Sequence, residues 1–202
     1  MKNTFRAIIW ASILFSSLTV LGQSHLGLNT EVVIPISPFS VGYGTGYGVN
    51  FAYRKFRMTK TLIIDASIGY RRMPGKADVT LVDYNGYPET ITFDNVISIP
   101  IKAGLAWAFI PNASPYTQPY AGFEMGIAYT RFAGYGISTQ IIPGLRVGWM
   151  VYINERLLLG LETKYTTQIG FGSQPYSEYT TVGDVLNHQI ALNLSATVRL
   201  GR

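Results

Sequence analysis

The chain has 202 residues, enough for one domain, of which 48% are hydrophobic and only 13% charged. An ordinary soluble domain carries about 25% charged residues, so a water-facing surface is poorly supplied here. The absence of cysteine excludes disulfide frameworks, cysteine-based metal sites, thiol catalysis and a lipid anchor on an N-terminal cysteine.

The first element is a secretory signal. Lys2 and Arg6 supply a basic start, residues 7–21 form an uncharged apolar stretch, and Val20 and Gly22 are small enough to precede a cut. The stretch is shorter than the roughly 20 residues a spanning helix needs. The reading is a signal peptide over residues 1–22 and a mature domain over 23–202 that begins at Gln23. Loss of Lys2 and Arg6 takes the basic residues from 16 to 14 against 11 acids, a net charge of +3, too weak to argue for nucleic acid.

After Gly22 the hydropathy alternates with period two in eight successive runs, the mark of strands with one apolar face. The first opposes Leu26, Leu28, Val32 and Ile34 to Asn29 and Glu31, and the second Tyr43, Tyr47, Val49, Phe51 and Tyr53 to glycines, Asn50 and Arg54. The third sets Leu62, Ile64, Ala66, Ile68 and Tyr70 against Asp65, Ser67, Gly69 and Arg71; the fourth sets Ile97, Ile99, Ile101, Leu105, Trp107 and Phe109 against Ser98, Lys102 and Gly104. The fifth opposes Phe123, Met125, Ile127 and Tyr129 to Gly122, Glu124 and Gly126, and the sixth Leu145, Val147, Trp149 and Val151 to Arg146 and Gly148. In the seventh, Leu157, Leu159, Leu161 and Tyr165 face away from Gly160, Glu162 and Lys164; in the eighth, Ile190, Leu192, Leu194, Val198 and Leu200 face away from Gln189, Asn193, Ser195, Thr197 and Arg199.

Each run is about 9–11 residues, the length of a tilted strand that crosses a bilayer. The connections 57–60, 111–119 and 154–156 are the shorter ones, whereas 72–95, 132–142 and 166–187 read as longer polar loops. Alternating short turns and long loops fit a membrane barrel, whose apolar face meets lipid and whose polar face fills the bore. The polar face is mostly small, which suits a narrow interior rather than a watered surface. Tyr43, Tyr70, Tyr129 and Tyr165 are expected in an outer interfacial band, and Tyr53, Trp107 and Phe109 in an inner one.

The expected fold is therefore all-β: an eight-stranded antiparallel up-and-down transmembrane barrel after a signal peptide. In this alternation the mature chain resembles the small eight-stranded outer-membrane barrels of the OmpA/OmpX-like class. The resemblance is one of architecture, without a sharp motif, and it implies the outer membrane of a Gram-negative bacterium, with lipid and lipopolysaccharide as neighbours. One departure is the ending Val198-Arg199-Leu200-Gly201-Arg202, where many such barrels end on an aromatic residue.

No cofactor or metal motif emerges. Gly42, Gly44, Gly46 and Gly48 precede a strand rather than the helix N-terminus that a phosphate loop requires. Asp83, Asn85 and Gly86 lack the later ligands of a calcium loop and read as a turn. His188 is the one serious catalytic candidate for a lipid-modifying enzyme, but Ser195 lies on the opposite strand face. The interior charges Glu31, Asp65, Glu124 and Glu162 with Arg54, Arg71, Lys102, Arg146, Lys164 and Arg199 are expected to pair and plug the bore, since isolated buried charges are costly; the alternative is a pore lined for selectivity. Tyr84, Tyr87, Tyr176 and Tyr179 are the expected contact residues for a surface ligand. The function expected is a non-enzymatic envelope barrel, with a lipid-modifying enzyme or a small conduit as alternatives.

Overall fold

The computed structural model describes residues 23–36, 40–57, 61–82, 85–109, 117–132, 136–171 and 186–201. The strands are β1 (Gln23–Pro35), β2 (Gly46–Arg57), β3 (Leu62–Met73), β4 (Val79–Val82), β5 (Pro88–Ile91), β6 (Val96–Ala108), β7 (Thr117–Phe132), β8 (Gly136–Ile141), β9 (Gly144–Tyr152), β10 (Leu157–Phe171) and β11 (Leu186–Leu200). The period-two runs become antiparallel neighbours in chain order, and β11 pairs back with β1, from Ser24 opposite Leu200 to Pro35 opposite Gln189. This closure leaves the wall without a free edge.

β8 and β9 are two halves of one wall strand. Gly126 exchanges backbone hydrogen bonds with Ile142 at 2.8 and 3.1 Å, so the register of β7 against both halves is continuous. Pro143 interrupts the ladder because it has no N–H to donate, yet its carbonyl still accepts from the Thr167 amide at 3.0 Å. Counting β8–β9 once, the ring holds eight wall strands.

The alternation sorts side chains as expected for a bilayer. Leu28, Phe51, Ile68, Met125, Leu161 and Leu194 are each at least 50% exposed, while Glu31, Lys102, Glu124, Arg146, Glu162 and Lys164 are buried. Such an apolar outside around a charged inside inverts the soluble arrangement; a surface of this kind is stable only against hydrocarbon.

Three connections differ from their expected form. The segment 132–142, read as a polar loop, is mostly strand: Ser138, Gln140 and Ile142 point into the bore and Ile137 and Thr139 outward, so Ser138 and Gln140 are interior polar residues. β10 likewise continues to Phe171, well into the segment 166–187. The third, 72–95, holds the hairpin β4–β5, whose Asn85-Gly86 turn has Gly86 at φ 87°, a left-handed value that glycine adopts without cost.

That hairpin is a lid. Val79, Leu81 and Ile91 pack on a cluster of Val33, Tyr43, Met73, Phe93, Val96 and Ala191 at the outer mouth. Backbone hydrogen bonds moor it: Lys76 N to Gly42 O at 2.9 Å, Gly44 N to Pro74 O at 2.9 Å and Phe93 N to Lys76 O at 2.8 Å. A Cβ on Gly75 would lie 1.8 Å from the Phe93 carbonyl oxygen, so this approach requires glycine. A second apolar cluster, Phe56, Ile63, Ala106, Tyr120, Met150 and Leu158, with Tyr152 packed against it, fills the inner end. Seen along the axis, the bore is apolar, charged, then apolar.

Candidate functional site

The charged middle layer is built from inward positions on β1, β3, β6, β7, β9 and β10. Arg71 donates through Nε to Glu31 Oε1 at 2.8 Å and through Nη1 to Gln189 Oε1 at 2.7 Å. Glu124 accepts from Lys102 Nζ at 3.1 Å and from Lys164 Nζ at 2.6 Å. Lys164 also reaches Glu162 at 3.1 Å. Arg146 pairs with Asp65 and, at 3.5 Å, with Glu162. The chain Lys102–Glu124–Lys164–Glu162–Arg146–Asp65 thus spans the bore as one alternating network.

Two of the ten expected members stand apart: among the described residues Arg54 and Arg199 enter no ion pair. The Arg54 guanidinium instead lies over the Tyr120 ring at 5.6 Å and donates to Met150 Sδ at 3.2 Å. Arg199 is half-buried opposite His25, which packs edge-on against Phe56 at 5.2 Å.

Sequence reasoning missed Tyr120. Its hydroxyl donates to Glu162 Oε2 at 2.7 Å, and its ring lies under both Arg54 and Arg146, the latter at 6.0 Å. Tyrosines were assigned to interfaces by residue type; the parity of Tyr120 with Glu124 was the available signal. Gly148 makes room for it, since a Cβ there would come within 2.5 Å of the ring. A smaller polar set near the outer mouth was also overlooked: Thr130 donates to Ser98 at 3.1 Å and to Gln140 at 2.8 Å, alternatives for one hydroxyl.

The expected aromatic bands are placed as follows. Tyr70, Tyr129 and Tyr165 are 44–45% exposed on the outward face near the outer strand ends. Trp107 and Phe109 are exposed at the inner end, where Tyr53 is half-buried and its hydroxyl meets Ser24 Oγ at 2.9 Å. Tyr43 is a correction: it is 2% exposed and turns inward onto Phe93, with ring centres 5.7 Å apart. It precedes β2 and forms only an isolated bridge to Gly75, so the parity of the strand does not extend to it. Of the expected loop contacts, Tyr87 is 71% exposed at the tip of the lid; Tyr84, Tyr176 and Tyr179 lie outside the described residues.

His188 lies at the outer end of β11 and faces outward. Its Nδ1 is 2.8 Å from the Tyr165 hydroxyl and 3.2 Å from Thr167 Oγ1, and its ring stacks on Tyr165 at 5.8 Å. Ser195 is on the opposite face, against Gly160. No group of three or more metal-ligating side chains occurs among the described residues.

No known protein-family model matches the sequence, and no curated protein is significantly similar to it. Among solved structures, Neisserial surface protein A superposes with a TM-score of 0.52 at 16% identity, over 88% of this chain and 96% of that one. The outer membrane protein OprG of Pseudomonas aeruginosa gives 0.49 at 11% identity, over 89% and 94%. The attachment invasion locus protein Ail of Yersinia pestis gives 0.45 at 13% identity, over 89% and 97%. With its closed ring, its apolar outer wall and its charged bore, the chain has the fold of the small eight-stranded outer-membrane β-barrels.

Proposed function

We propose that the chain is a non-enzymatic integral barrel of a Gram-negative outer membrane, exported by a signal peptide cleaved before Gln23, that acts through its outer rim as a structural or adhesive surface protein. Lipid and lipopolysaccharide surround its wall in this reading, and a surface ligand is met beyond the outer strand ends. The observation that carries it is the state of the bore: an ion-paired middle layer lies between two apolar clusters. A bore filled in this way leaves the outside to make contacts.

The test has two arms. Protein in isolated outer membranes should begin at Gln23 by mass spectrometry and migrate faster unboiled than boiled. Cells expressing a chain with residues 172–185 replaced by an Asn-Gly turn should keep that mobility shift and lose binding to host cells or serum proteins relative to wild type. Binding that persists places the contacts on the hairpin around Tyr87 or on the wall, and a wild type that binds no better than empty-vector cells removes the adhesive reading.

A second reading, lipid modification at His188, has two hydroxyls beside the imidazole but no carboxylate paired with it among the described residues. The lipid A acyl profile of an expressing strain should be the same with wild type and His188→Ala. A profile that the wild type changes and the variant does not would establish the enzyme.

A further inference from the structure

The lipid-facing side of the wall carries very few charges, and their signs are not mixed. Taking the outward positions of the wall strands in turn, the exposed charged residues are Arg72 and Arg131 near the outer end, with Arg57 half-buried at the inner end; Lys55 shares the outward parity but is buried at 1% exposure. Every acid of the wall strands — Glu31, Asp65, Glu124 and Glu162 — is on the inward parity and committed to the interior network.

Arg72 and Arg131 are neighbours across the wall. Arg72 on β3 is opposite Ile97 on β6, and Ile97 is opposite Arg131 on β7. The two backbones are therefore two strand spacings apart, about 10 Å. Both side chains are exposed, and neither forms an ion pair with any described residue. One step inward in the same register, Tyr70 and Tyr129 flank Ile99, exposed at 44% and 45%; Tyr47, 60% exposed, adjoins Arg72 on β2. Below them the face is wholly apolar: Ile68, Ile101 and Ile127.

This is a vertical sequence of hydrocarbon, amphipathic ring and free guanidinium, at the end of the barrel opposite the short turns. Tyrosine settles at headgroup level, so the guanidiniums stand among the headgroups of the outer leaflet. An arginine there presents a planar fork that takes phosphate bidentately. Two forks with no carboxylate on their face have no competing partner among the described residues.

We infer that Arg72 and Arg131 form a clamp for the phosphorylated headgroup of an outer-leaflet glycolipid, with its acyl chains lying over Ile68, Ile101 and Ile127. The inference rests on the reading that the chain spans an outer membrane and adds to it a defined lipid site on the β3–β6–β7 side of the wall. The occupant is a membrane lipid rather than a soluble anion, because the site is continuous with the apolar band beneath it.

The experiment uses the full mature chain in detergent micelles and native mass spectrometry. The probes are diphosphorylated lipid A and the same lipid after enzymatic dephosphorylation. The variants are Arg72→Gln/Arg131→Gln and, as a control cation at the inner turn, Arg156→Gln. Gel mobility of unboiled samples establishes that each protein is folded. Wild type and Arg156→Gln should retain diphosphorylated lipid A at concentrations at least tenfold lower than the double variant does. Dephosphorylated lipid A should bind wild type and double variant alike, at the weaker level. The inference is overturned if the folded double variant binds the phosphorylated lipid as wild type does, or if dephosphorylation leaves wild-type binding unchanged. It is also overturned if inorganic phosphate or sucrose octasulfate displaces the lipid from wild type at equal concentration, which would make the pair a site for soluble anions. Failure of the membrane reading would show separately, as absence of the protein from the outer-membrane fraction.

Discussion

Glu124 is the residue on which the interior charge balance turns. Its two oxygens serve two different lysines, Lys102 at 3.1 Å and Lys164 at 2.6 Å. Removing one member of a buried ion pair leaves the other charged and unpaired, at a cost of about 3–5 kcal/mol. Glu124→Ala should lower the denaturant midpoint in lipid vesicles by an amount of that order. Glu124→Ala/Lys102→Met should recover part of the loss, because one stranded ammonium is gone; a double variant no more stable than the single would mean that water reaches Lys102 freely. Tyr120 and Gly148 offer a steric counterpart. Gly148→Ala drives a methyl into the Tyr120 ring and should cost about 1–3 kcal/mol, the usual price of overpacking. In Tyr120→Leu the same methyl should be nearly harmless, although the Tyr120 change itself takes one hydrogen bond from Glu162, which keeps Lys164 and Arg146. Additive losses in that cycle would show that the ring moves aside without cost.

At the scale of the element, alternation was legible wherever a strand had to present one face to lipid and the other to the bore. The eight runs therefore found the eight wall strands, and the parity of Glu31, Lys102, Glu124, Arg146 and Glu162 placed them inside. Polar composition misled where it was interior rather than loop, as in Ser138 and Gln140 of β8. It misled again in 72–95, where the hairpin shows an apolar edge of Val79, Leu81 and Ile91 to a cluster gathered from several distant strands. No local pattern announces that partner, because it exists only after closure. Tyr43 failed for the same reason, its inward turn being set by Phe93 fifty residues later. The lid makes a distinct prediction. Leu81→Asp should detach the hairpin and expose 79–91 to protease added from outside, since the charge would be set against the apolar cluster at the outer mouth. The wall ladder does not depend on it, so the heat-dependent mobility shift should persist. Loss of the shift would show that the hairpin is needed for the barrel to close.

For the whole molecule, the arrangement divides labour by surface. The outer wall is committed to lipid, the bore to a continuous ion-paired network, and both mouths to apolar clusters. An eight-stranded barrel has an interior only wide enough for side chains, and here long ones occupy it at every level. In the proposed function, specific contacts fall to the outer rim, which carries Tyr87, His188, Arg72 and Arg131. The central claim is the closed bore, and single-channel recording in planar bilayers tests it most directly. Purified, folded protein should give no steady conductance above the bare membrane, in the wild type and in the hairpin variant Leu81→Asp alike, because the inner cluster around Phe56, Met150 and Leu158 still seals the other end. Stable, salt-proportional openings from the wild-type protein would contradict the account and make the charged layer the lining of a pore.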